Sequence, residues 1–94
     1  MRPTLEVTLS DACPNCRTFE RQLPSVLRAA RALGLLPRVR HILYGAPDAP
    51  PYVPFIAVRD RDGHLRVYSG PRTARGTARF LREVAGRPKS PFRV

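Results

Sequence analysis

The only two cysteines of the chain, Cys13 and Cys16, stand three positions apart where one hydrophobic spacing gives way to another. Before them, Leu5, Val7 and Leu9 alternate with Thr4, Glu6 and Thr8, the period of two of a half-buried strand, predicted here over Thr4 to Leu9. After them, Phe19, Leu23, Val26, Leu27, Ala30 and Leu33 fall on one helical stripe, with Arg17, Glu20, Arg21, Arg28 and Arg31 largely opposite. That predicts a long amphipathic helix over Pro14 to Leu33, stopped by Gly34. Any fold of this chain must therefore set Cys13-Pro14-Asn15-Cys16 at a strand-to-helix junction.

That junction has a definite chemistry. Pro14 suits the first helical position, where a missing N–H breaks no bond, which makes Cys13 the N-cap. A sulfur at the N-cap faces the free N–H groups of Asn15 and Cys16 and the positive end of the helix dipole, both of which favour thiolate over thiol. Cys16, one turn inside, is close in space but more protected, so it suits resolving a mixed disulfide rather than starting one. A bridge between the two closes a very short loop and adds little stability, which fits exchange better than structural stapling.

The remainder of the chain has a simple order. Val39 to Tyr44 alternates with both faces partly apolar, predicting a second strand covered on two sides. Gly45 to Pro54 carries four prolines in ten residues and reads as a stiff connection. Phe55 to Val58 and Leu65 to Tyr68 are short apolar strands, with Asp62-Gly63 as the turn signal between them. A last helix is predicted over Thr73 to Ala85, with Thr77, Phe80, Leu81 and Val84 on one face. Pro24, inside the first helix, removes the N–H that would bond the Glu20 carbonyl, so a kink or restart is expected there. The fold class is thus α/β, β-α-β-loop-β-β-α, a four-stranded mixed sheet with two helices. The first two strands are parallel through a right-handed crossover and the last two form a hairpin. One domain is expected over 1–86, with 87–94 a loose basic tail.

Composition limits the function classes. With 94 residues there is room for a single core, and no stretch nears the ~20 apolar residues of a membrane span. The N-terminus lacks the apolar segment of a secretory signal, so an unexported, cytoplasmic protein is expected, with no membrane partner. The net charge of +10 invites a polyanion, yet sixteen of the seventeen cations are arginine, and Ala, Arg, Pro and Gly fill 43 positions, the mark of a compositional bias.

Cys-Pro-x-Cys directly after the first strand resembles the glutaredoxins of the thioredoxin superfamily, and the likeness extends from Leu5 to about Ala85. In that superfamily a cis-proline precedes the third strand of the minimal fold and faces the active site; Val53-Pro54-Phe55 matches its place. The resemblance implies that the Val53 backbone pairs with an extended substrate segment beside Cys13. Tyr68-Ser69-Gly70-Pro71-Arg72-Thr73 is similar to the Tyr-x-Gly-x-Arg-Thr stretch that leads into the last helix of protein disulfide isomerase domains, which implies a backbone bend at Gly70 near the active site. The implied activity is thiol-disulfide exchange, with a redox-active Cys13–Cys16 disulfide and no other cofactor, acting on protein dithiols or disulfides with an upstream redox partner. Pro14, Asn15 and Arg17 would support the site, Arg17 by charge.

The sequence also departs from those families. Glutathione-binding glutaredoxins usually show Gly-Gly and a nearby acid where this chain has Gly70-Pro71-Arg72, so glutathione is not assigned. Ala12 stands where thioredoxins carry an aromatic, Glu6 is about one residue out of register with their buried acid, and the proline-rich connection leaves no room for a helix between the second and third strands. Other readings of the pair are half a zinc site completed by His41 and His64, whose spacing matches no finger or knuckle, and inert core packing, which Pro14 argues against. From a different class, the chain could be a non-catalytic basic module gripping an acidic protein or nucleic acid through Arg28, Arg31, Arg72, Arg75, Arg79 and Arg82.

Overall fold

A computed structural model describes residues 2–11, 13–43 and 45–85. The chain runs β1 (Thr4–Ser10), α1 (Pro14–Ala32), β2 (Leu36–Ile42), β3 (Phe55–Arg59), β4 (Leu65–Val67) and α2 (Ala74–Ala85). The strands form one mixed sheet in the order β2-β1-β3-β4, with β1 parallel to β2 and antiparallel to β3, and β3 antiparallel to β4. The tail expected over 87–94, and Gly86 before it, lie outside the described residues.

Strand alternation decides where the core sits. Leu5, Val7 and Leu9 of β1 and Ile56 and Val58 of β3 are at most 1% exposed, and they cluster with Phe19, Val26 and Ala30 of α1 and Leu81 of α2. Both helices therefore cover the same face of the sheet. The opposite face is set by the register: Leu36, Thr4, Arg59 and Leu65 form one row across it, and Arg38, Glu6, Ala57 and Val67 the next. The 45–54 connection reaches part of this face, through an Asp48 carboxylate 3.0 Å from Arg40 and the Tyr52 ring against Phe55.

Helix ends are fixed locally. Gly34, at φ +80°, terminates α1, with its N–H on the Arg31 carbonyl and the Leu35 N–H on that of Ala30, a left-handed cap for which glycine is the favoured residue. At α2, the Thr73 hydroxyl accepts the Gly76 N–H, and the Gln22 side chain of α1 accepts the Ala74 N–H at 2.6 Å. Thr73 is thus the cap, one residue before the helix proper.

Three expectations need correction. The second strand is not covered on two sides: it begins at Leu36, ends at Ile42 and is exposed or half-exposed throughout, because it is a sheet edge with helices on one face only. Pro37 is tolerated in it for the same reason, since an edge residue can point its N–H side away from the ladder. The first helix does not restart at Pro24. It runs unbroken through that residue, which is exposed, so water can serve the Glu20 carbonyl left without a donor. The fourth strand stops at Val67, and Tyr68 turns inward instead, 7% exposed, with its ring against Phe80.

Candidate dithiol site

The junction between β1 and α1 places the two sulfurs differently. Cys13 is the N-cap of α1, with φ −121° and ψ 113°, and its Sγ accepts the Cys16 N–H at 3.1 Å; Pro14 takes the first helical position. Cys13 is half-exposed, whereas Cys16 is 1% exposed and receives the Ser10 N–H on its sulfur at 3.4 Å, from the last residue of β1. Both thiols are free. Burial, and then hydrogen bonding with Cys13, push the Cys16 thiol up from its ordinary 9.0 to about 11.

The bond between Val53 and Pro54 is cis, and the Cys13 thiol lies 3.7 Å from the Val53 carbonyl oxygen, forty residues away in sequence. A groove of about 640 Å³ opens beside this contact, lined by Asn15 and Thr18 of α1, by Tyr52, Val53 and Pro54, and by Ser69 and Arg72. Its one charged lining residue, Arg72, bonds the Pro54 carbonyl through Nε at 3.2 Å and the Gly70 carbonyl through Nη1 at 2.6 Å. The Arg72 guanidinium also lies 5.4 Å from the Tyr52 ring and 5.3 Å from the Tyr68 ring, within cation–π range of both. It ties the proline loop to the segment leading into α2.

The residues singled out from sequence thus fall into two groups. Cys13, Cys16, Pro14, Asn15, Val53 and Pro54 meet at one end of the sheet. Gly70 lies beside the groove rather than in its lining. A side chain there would meet the Tyr68 hydroxyl at 2.6 Å, so glycine is required by the packing of that ring, whose hydroxyl donates to the Pro71 carbonyl at 2.7 Å. Arg17 is exposed and, among the described residues, makes no ion pair with a carboxylate and no hydrogen bond to either sulfur. His41 faces Glu20 at 2.9 Å and His64 lies in the hairpin near Asp60, so neither approaches the cysteines. Glu6 pairs with Arg59 on the face away from the helices.

Arg72 is the residue whose role periodicity obscured. It is not part of a helical basic face, because α2 begins at Ala74, and it folds into the groove instead. The Tyr-x-Gly-x-Arg-Thr pattern was the one signal that set it apart from its arginine neighbours.

These features define a thioredoxin-like fold. The chain is similar to the first thioredoxin domain of mouse protein disulfide-isomerase A4, with TM-score 0.70 and 18% identity over 95% of this chain and 66% of that one. It is also similar to the zinc-bound form of human ERp44, with TM-score 0.67 and 14% identity over 87% of this chain and 26% of that one. A third likeness is to the J-Trx1 fragment of ERdj5, with TM-score 0.63 and 14% identity over 92% of this chain and 44% of that one. The chain spans less than two thirds of the length of each. No protein-family model and no curated protein sequence matches it.

The unequal placement of the sulfurs has a measurable consequence. At pH 8 a thiol titrating near 11 is ionised in only ~0.1% of molecules. Iodoacetamide at pH 8 is therefore expected to label Cys13 alone in the native reduced protein and both cysteines after denaturation, read by mass spectrometry of peptides. Equal native labelling of the two would contradict the placement.

Proposed function

We propose that this protein is a thiol-disulfide oxidoreductase acting on protein substrates. The observation that carries this is the contact of the half-exposed N-cap sulfur of Cys13 with the backbone preceding cis-Pro54, while Cys16 lies buried one turn below. In the reducing direction the Cys13 thiolate attacks one sulfur of a substrate disulfide. The Cys13–substrate bond forms, the substrate S–S bond breaks, and the leaving thiolate takes a proton. Cys16 then gives up its proton and attacks the Cys13 sulfur, forming the Cys13–Cys16 disulfide and releasing the second substrate thiolate. The substrate has gained two electrons and the protein has lost two; an external dithiol restores it. The oxidising direction is the reverse.

The raised position of the Cys16 thiol suits the order of these steps, because it stays protonated until Cys13 is engaged and needs a base to act. The groove supports an extended substrate: the Val53 backbone offers main-chain hydrogen bonding beside the reacting sulfur, and the two carbonyl bonds of Arg72 hold the proline loop in place.

The test is capture of the mixed disulfide. With Cys16→Ser the second step is blocked, so the protein should accumulate covalently bound partners that dithiothreitol releases and that are absent with Cys13→Ser. Failure of Cys16→Ser to retain more protein than Cys13→Ser removes the proposal.

A further inference from the structure

Outside the dithiol site, the most strongly charged surface is the outer side of the helical layer. On α1 the residues Arg17, Arg21, Arg28 and Arg31 recur so that all four lie within an arc of about 80°. This arc faces away from Phe19, Val26 and Ala30, which are buried. All four arginines are exposed, over an axial run of about 21 Å. On α2, Arg75, Arg79 and Arg82 repeat the pattern opposite Thr77 and Leu81, and again all three are exposed. The two helices pack side by side, so the two cationic stripes are neighbours, about 8–10 Å apart between axes.

None of these arginines takes part in an ion pair among the described residues. Among the described residues the arginine ion pairs are Arg40 with Asp48 and Arg59 with Glu6, both on the sheet's other side. The two helices carry two carboxylates: Glu20 is turned to His41, and Glu83 lies beside Arg75 and Arg79 on the flank of α2 without an ion pair among the described residues. Among the described residues this surface presents no apolar anchor: the large exposed hydrophobic side chains are Leu36, Val39, Leu43, Tyr52, Leu65 and Val67, all on strands and connections and none on either helix.

That combination selects among polyanions. Protein interfaces centre on buried aromatic or aliphatic anchors, surface-bound membrane helices need an apolar face to insert, and single-stranded nucleic acid is held by aromatic stacking. The phosphate backbone of a duplex needs none of these, only cations spread over a surface, with arginine the preferred donor to phosphate. We infer that the α1–α2 face binds the backbone of double-stranded nucleic acid without reading its sequence, as a function separate from thiol-disulfide exchange.

The experiment is fluorescence anisotropy with a 24-base-pair DNA duplex of arbitrary sequence. If about four phosphates are neutralised, binding is expected to weaken roughly 100-fold between 50 and 200 mM KCl and to be indifferent to duplex sequence. At 150 mM KCl, where surface charges further apart than ~8 Å are screened, Arg28→Glu/Arg31→Glu/Arg75→Glu/Arg79→Glu should lose about 100-fold. The charge-matched Arg2→Glu/Arg38→Glu/Arg61→Glu/Arg66→Glu should lose less than about fivefold. Replacing the same four helical arginines by glutamine gives the milder version should the glutamates impair folding, which Cys13 alkylation and circular dichroism monitor. Cys13→Ser/Cys16→Ser should bind the duplex as tightly as the native chain, so a failure here and a failure of the dithiol reading are told apart. Equal losses in both charge variants, a salt-insensitive affinity, or tighter binding to phosphatidylserine vesicles or polyglutamate than to duplex would overturn the inference.

Discussion

Cys13→Ser is expected to lower the reduction of insulin disulfides by dithiothreitol to the rate of the reductant alone, a loss of roughly 1,000-fold or more in the protein-dependent rate. The size follows from chemistry, since a hydroxyl is a far poorer nucleophile than a thiol near neutral pH. Structure should hardly change. A serine oxygen is a good N-cap acceptor, so it can take over the bond from the Cys16 N–H that the sulfur now accepts at 3.1 Å. Urea unfolding should accordingly move by no more than about 0.5 kcal/mol. Retention of the protein-dependent rate within tenfold would show that the exchange does not begin at this sulfur. Pairing the two measurements matters, because a variant that lost activity by unfolding would reveal itself in the second.

The largest expected effect on stability comes from Phe19→Ala. Phe19 has no exposed surface, lies one turn beyond Cys16 and packs in the cluster that joins β1, β3 and both helices. Removing its ring leaves a cavity that only α1 and the sheet can shrink, and such substitutions cost about 3–5 kcal/mol. A domain of this length has a total stability on the order of 5–14 kcal/mol, so the variant should melt ~15 °C or more below the native chain by differential scanning calorimetry. A decrease below ~5 °C would mean that the ring is not central to the core. The same change should make Cys16 accessible to iodoacetamide at pH 8, because the turn that buries it rests on this packing.

Much of this architecture could be read from residue order, and the failures have physical causes. The alternation of Leu5, Val7 and Leu9 located β1 because that strand has a dry face and a wetter one. In β2 the alternation of Val39, His41 and Leu43 carried no such information. An edge strand tolerates apolar and polar residues alike, and Leu43 is 72% exposed beyond its end. Pro37 hid the start of the same strand, since a proline signals a break unless the strand is already known to be at an edge. The cysteine pair was legible because the chemistry restricts which residues can stand there, and Val53-Pro54 because it resembles a landmark of a known family. That they meet across forty residues came from resemblance, not from spacing. Arg72 was read with the helical arginines because one-dimensional patterns cannot tell a side chain that bonds two carbonyls from one that points to water. Gly70 does stand at a backbone bend, as expected, and a second reason for glycine there, the exclusion of its Cβ by the Tyr68 ring, lay in packing that the sequence does not display.

The outer strand β2 has a bearing on how the molecule behaves in concentrated solution. Its free rim carries Pro37, Arg38 and Arg40, and neither a missing amide hydrogen nor a row of guanidinium groups welcomes another strand from a neighbouring molecule. Growth of the sheet into stacked fibrils is thus discouraged on that side by chemistry instead of by a covering layer. At the other rim, β4 offers three residues, too short a template to propagate pairing.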